Sequence, residues 1–142
     1  MKSATTEKSR EIANKFLNSL FKGDVKAIGS MFEGDEAGWV VLGNDQGFPV
    51  ARKYSPDKIG DLIKAVSPAA ARGGNAFEKG VFADGNRAFV EIQAQGTSFS
   101  GKEYNNRVTF SIHTGSTGIL LIEEYLDTRH LHDLLFDADT NQ

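Results

Sequence analysis

Between Asn86 and Phe136 the chain carries alternating runs that leave little freedom in what it can fold into. The first, Arg87 to Gln95, sets Val90, Ile92 and Ala94 against Phe89, Glu91, Gln93 and Gln95. Alternation at period two marks a strand whose two faces meet different surroundings. The second, Asn105 to His113, sets Asn106, Val108, Phe110 and Ile112 against Arg107, Thr109, Ser111 and His113. A third run, Ile119 to Leu126, ends in Glu124-Tyr125-Leu126-Asp127. Asp84-Gly85, Ser100-Gly101-Lys102 and Gly115 to Gly118 are turn signals between runs, so the stretch reads as a meander of antiparallel strands. Asp127 or Thr128 then caps a short helix whose apolar stripe is Leu131, Leu134 and Leu135.

Upstream the period changes. From Thr5 to Lys22, Ile12, Phe16 and Leu20 recur at four, as do Ala13, Leu17 and Phe21, which predicts a helix capped by Thr5 or Thr6. Asp24 is the cap of a second helix, Val25 to Phe32. Ala37 to Leu42 is a short strand around the single tryptophan, Trp39, and Gly43 to Tyr54 reads as a loop. Ser55-Pro56-Asp57 opens a third helix with Ile59, Leu62, Ile63 and Val66 as its buried side. Ala76 to Ala83 is the strand before the meander. Helices grouped ahead of one antiparallel sheet predict an α+β fold. The 142 residues fit one domain, expected to span 1–142, with an ordered core of about 5–136 and a frayed polar tail from Asp137.

Composition removes several function classes. With no cysteine there is neither a disulfide framework nor thiolate chemistry. A net charge of −3 offers no general attraction to nucleic acid or an anionic membrane, and neither is expected as a partner. No apolar run approaches a membrane span, and the N-terminus lacks a signal-peptide core, so the expected location is the cytoplasm. His113, His130 and His132 show no metal-site spacing, and no metal or cofactor is expected.

Three segments carry a family likeness: Phe89-Val90-Glu91-Ile92, Gly101-Lys102-Glu103-Tyr104-Asn105-Asn106 and Glu124-Tyr125-Leu126-Asp127. With the order of elements, they make the chain resemble the SnoaL-like polyketide cyclases of the nuclear transport factor 2-like superfamily, to which ketosteroid isomerase and limonene epoxide hydrolase belong. The resemblance implies a cone: a strongly curved antiparallel sheet packed on three N-terminal helices, with a blind pocket inside. It also implies a homodimer through the convex sheet face, with Val90, Ile92, Arg107 and Leu121 at the contact.

The direction in which the first run faces is open at this point. Alternation alone puts Val90, Ile92 and Ala94 in the core and leaves Glu91, Gln93 and Gln95 solvated, because apolar residues usually turn inward. The resemblance implies the reverse: Phe89, Glu91 and Gln93 would look into the cone with Asn106, Val108, Phe110, Glu124 and Leu126. Two carboxylates, Glu91 and Glu124, would then share an apolar cavity. Burial raises a carboxyl pKa and a second carboxylate raises one of the two further, which yields an acid and a base near neutral pH. Trp39, Phe89, Phe110 and Phe48 would be aromatic walls, with Val108 and Leu126 beside them. Gln93 and Asn106 would offer hydrogen bonds to a ligand or to each other. Asp127 reads as a helix cap rather than a third acid.

Residue by residue, the epoxide hydrolases pair two acids with an arginine. Glu91 and Glu124 stand at the acid positions, but Phe89 stands at the arginine, and a phenyl ring makes no bidentate hydrogen bond to a carboxylate. Ketosteroid isomerase needs a carboxylate base on the first strand, and Trp39 to Leu42 has none. Cyclase chemistry places its acid/base in the last strand, where Glu124 stands. The expected function is acid/base isomerisation or cyclisation of a small hydrophobic, carbonyl-bearing molecule, with Glu124 and Glu91 as the catalytic pair. The alternative is a non-catalytic small-molecule binder or a dimeric interaction module of the same fold.

Overall fold

A computed structural model describes residues 4–136; the expected polar tail lies outside them. The elements run α1 (Ala4–Lys22), α2 (Val25–Ser30), β1 (Gly38–Val41), β2 (Lys53–Tyr54), α3 (Ile59–Val66), β3 (Gly74–Asp84), β4 (Arg87–Thr97), β5 (Glu103–Thr114), β6 (Ile119–Tyr125) and α4 (Thr128–Phe136). Short 3-10 turns, Pro56–Lys58 and Ser67–Ala70, flank α3. The strands form one curved, unclosed sheet in the order β2-β1-β6-β5-β4-β3, an α+β architecture.

The expected meander is present, β3 through β6 pairing antiparallel in chain order. Two features depart from expectation. β1 pairs parallel with β6, bringing Val41 opposite Glu124, so the sheet is mixed rather than wholly antiparallel. Within the stretch expected as a loop, Lys53–Tyr54 forms an edge strand against Trp39 and Val40. A two-residue pairing leaves no periodicity for a sequence reader to detect.

Helix starts follow local chemistry only in part. Asp24 caps α2 as expected, its side chain accepting from the Ala27 N–H at 3.0 Å. The first helix is already formed at Ala4, so Thr5 and Thr6 are inside it rather than capping it. The Thr6 hydroxyl accepts from the Gly85 N–H instead and ties α1 to the β3–β4 turn. Ser55 does not cap; its hydroxyl donates to Asp57 at 2.6 Å.

The core lies between the inner face of the sheet and the helices. Phe16 of α1 meets Trp39 and Phe110 edge-on, and Trp39 meets Phe110 in the same way, with centroids 5.2–5.5 Å apart. Such a triad gains from ring quadrupoles as well as from area removed from water. One end of the core closes on backbone rather than on side chains. Gly74 and Gly96 face each other across β3 and β4, and a Cβ on either would stand 2.7 Å from the Ala70 methyl. The 3-10 turn after α3 comes down onto the sheet because neither residue has a side chain there.

Candidate active site

Register decides which side chains enter the cone. In an antiparallel pair, directly opposed residues project from the same face of the sheet. Val90 is opposite Phe110 and Ile92 opposite Val108; Phe110 is in turn opposite Glu124. All of these face inward: Val90 is 0% exposed, Ile92 4% and Phe110 2%.

This overturns the inward placement of Phe89, Glu91 and Gln93. Phe89 is 41% exposed on the outer face. Glu91 also lies there, its carboxylate 3.3 Å from the Arg107 guanidinium. Gln93 accepts from Arg107 Nε at 2.8 Å and donates to Asn105 at 2.7 Å, so it is not paired with Asn106. The physical reason is the five-residue turn Ser98–Lys102 between β4 and β5. It pairs Thr97 with Glu103, so even-numbered residues of one strand oppose even-numbered residues of the other. Once Val108 and Phe110 face the helices, Val90 and Ile92 must do so as well. The same fact removes Val90 and Ile92 from any convex-face contact; Arg107 remains outward, with the exposed aromatic residues Phe82 and Tyr125.

A cavity of about 460 Å3 occupies the cone. Leu62 and Val66 of α3 and Leu131 of α4 wall it on one side, and Ile92, Val108 and Phe110 of the sheet on the other. Trp39 and Glu124 line it together. Asn106 is buried, but it serves the fold: its amide donates to the Asp127 carbonyl and its side-chain oxygen accepts from the Asp127 N–H, each at 3.1 Å. Asp127 caps α4, accepting from the His130 N–H at 3.0 Å. Leu126 packs half-buried against the core, not against the cavity. Phe48 is buried against His132 and Phe136, away from the cavity wall.

Among the described residues, Glu124 is the only carboxylate lining this cavity. The Trp39 indole N–H donates to its Oε1 at 2.9 Å. Burial among apolar walls pushes its pKa up to about 7, against which the Trp39 hydrogen bond pulls down. The shift arises from desolvation, with no second carboxylate needed. A carboxyl group balanced between its two forms near neutral pH can give or take a proton. Tyr104, absent from the sequence-based candidates, also lines the cavity. Its position in the inward row of β5 with Asn106, Val108 and Phe110 is the signal that would have found it.

No protein-family model matches the chain, and no curated protein does. Solved structures do. An NTF2-like protein from Burkholderia xenovorans LB400 superposes with a TM-score of 0.71 at 19% identity, covering 94% of this chain and 99% of that one. TerC, co-crystallised with polyporic acid, gives 0.74 at 16%, covering 89% and 97%. A candidate SnoaL-like polyketide cyclase from Jannaschia sp. CCS1 gives 0.72 at 9%, covering 96% and 97%. Likeness at these identities is one of architecture, which by itself assigns no reaction. The chain therefore has the nuclear transport factor 2-like fold, shared with NTF2-like and SnoaL-like proteins.

Proposed function

We propose that this protein is an acid/base enzyme acting on a small hydrophobic molecule that carries a carbonyl group, of the isomerase or cyclase type. The observation that carries the reading is a carboxyl group, Glu124, that alone among the described residues faces a largely apolar cavity, with its pKa pushed up to about 7. In the ionised form its carboxylate takes a proton from a carbon beside the carbonyl. The electron pair of that C–H bond moves into the carbonyl and leaves an enolate. The protonated Glu124 then returns the proton to the same or a conjugated carbon. The indole N–H of Trp39 fixes one carboxyl oxygen at 2.9 Å and leaves the other for the substrate. An apolar cavity with few polar groups suits a ring-bearing substrate, whose burial supplies binding free energy. The ligand-bound fold neighbour TerC supports a small-molecule reading of the cavity.

The reading is tested with a carbonyl compound that is not assumed to be the natural substrate. In D2O the protein should speed deuterium uptake at the carbon beside the carbonyl of 2-tetralone, followed by proton NMR. The rate should rise with pH through a midpoint near 7 and fall to the buffer rate in Glu124→Gln. Exchange no faster than buffer in the parent, together with a Glu124 titration midpoint in the ordinary carboxylate range, would end the acid/base reading.

A further inference from the structure

We infer that the cavity is a passage for a carbonyl compound bearing an unbranched aliphatic chain. The carbonyl end lies beside Glu124, and the chain runs out over Ala76 and Ala94 to an opening at the β3 edge. The inference rests on the reading of the cavity as a small-molecule site and adds to it the shape of the molecule it takes.

Register gives the length. Glu124 of β6 is opposite Phe110 of β5. Ala76 of β3 is opposite Ala94 of β4, which is opposite Asn106 of β5. Glu124, Ala76 and Ala94 nevertheless line one cavity. From Glu124 to Ala76 the sheet is crossed by three strand spacings, about 14 Å, and β5 is followed for four residues, about 13 Å. A sphere of about 460 Å3 is only about 10 Å across, shorter than that diagonal even on a curved sheet, so the cavity is elongated.

Side chains give the width and the chemistry. At the inner end the walls are large, Trp39 and Phe110. At the other end the sheet contributes two methyl groups, Ala76 and Ala94, both half-buried. The next row of the sheet is shut, because Ala70 rests on Gly74 and Gly96. Small walls beside a closed row favour a slender chain over a second ring system. Beyond the alanines the lining is exposed: Phe21 at the end of α1 is 41% exposed, and Ser67 after α3 is exposed as well. The mouth therefore lies between these two helix ends, beside the edge strand β3. Among the described residues, no charged side chain other than Glu124 lines the cavity. A charged tail would find no ion-pair partner along this path, whereas each methylene placed in it leaves water for an apolar wall.

The test uses methyl ketones that differ only in chain length, from 2-butanone to 2-undecanone, titrated by NMR. Parent affinity should climb along the whole series, by about two- to fourfold for each methylene taken from water. The terminal methyl of bound 2-undecanone should give nuclear Overhauser contacts to the methyls of Ala76 and Ala94. Ala94→Leu, which fills the passage, should weaken 2-undecanone at least tenfold and leave 2-butanone within about twofold, since only the longer chain reaches it. Ala76→Leu should act in the same way and serves if the first variant fails to fold. Equal losses for both ketones, an affinity that stops rising after 2-hexanone, or a chain end that contacts neither alanine would overturn the passage. A full chain-length effect without deuterium exchange would instead overturn the acid/base reading and leave the passage standing. Binding of no ketone by the parent would overturn both.

Discussion

Glu91 and Glu124 sit on one sheet, one strand apart, and face opposite ways. Glu91 on the outer surface has an arginine 3.3 Å away and is screened by water; its side chain is 38% exposed. Glu124 on the inner surface has the Trp39 indole N–H at 2.9 Å and mostly apolar walls. An exposed ion pair of the first kind contributes little to stability, because solvent screens the attraction and ordering two long side chains opposes it. A carboxyl of the second kind is held in an environment that disfavours its charge, and its protonation equilibrium moves into the physiological range. What separates them is the parity of the strand, since residue type and strand-type backbone are the same in both.

The sharpest way to break that comparison is to remove each carboxyl in turn. Glu124→Gln should reduce catalysed deuterium exchange at least about a hundredfold, the usual range for loss of a positioned acid/base. Glu91→Gln should leave the exchange rate within about twofold. A large loss from Glu91→Gln would mean that the outer face takes part after all.

Stability tests the same contrast through pH. The folded-state pKa of Glu124 is raised from an ordinary 4.5 to about 7. The folded protein therefore holds a proton that the unfolded chain has released, and stability should decline as pH rises from about 4.5 to 7. Above that window the full penalty is present, roughly 3 kcal/mol at most. Urea denaturation should show Glu124→Gln to be more stable than the parent at pH 8, by up to that amount, and equal to it at pH 4. A parent whose stability is flat across the window would contradict the raised value.

Trp39→Phe is a finer probe. It keeps an aromatic ring against Phe16 and Phe110 but deletes the donor that stabilises the Glu124 carboxylate. The Glu124 midpoint, read by carbon-13 NMR of the side chain, should move higher still. The smallest effect belongs to the outer pair. A double-mutant cycle over Glu91 and Arg107 should return no more than about 0.5 kcal/mol, fading with added salt.

Much of this molecule was legible in its residues, and the losses have a physical pattern. The meander, the helix starting after Asp24 and the inward row of Val108 and Phe110 all follow from local chemistry and period. Glu124 is the acid candidate because the family resemblance expects an acid in the last strand, and its inward facing opposite Phe110 agrees with the placement the resemblance implies. The facing of Phe89, Glu91 and Gln93 was lost because family likeness outweighed alternation, and here alternation was the better guide: Val90 and Ile92 are the apolar members, and they are inside. Turn length sets the parity, and Ser98 to Lys102 shows a reversal without showing its length. Asn106 was offered as a ligand contact, yet it holds the Asp127 backbone, a pairing set by tertiary contact that no local pattern reveals. Tyr104 went unread because a tyrosine beside a turn looks ordinary until the cavity is seen to reach it.

The glycines under Ala70 have a consequence for the size of the chamber. With hydrogen atoms in place of side chains at residues 74 and 96, the cover rests at its lowest possible height. Any heavier substituent at either position acts as a spacer that jacks the cover upward. Chamber depth can thus be reset from the wall at Ala70 by single substitutions, while Glu124 remains where it is.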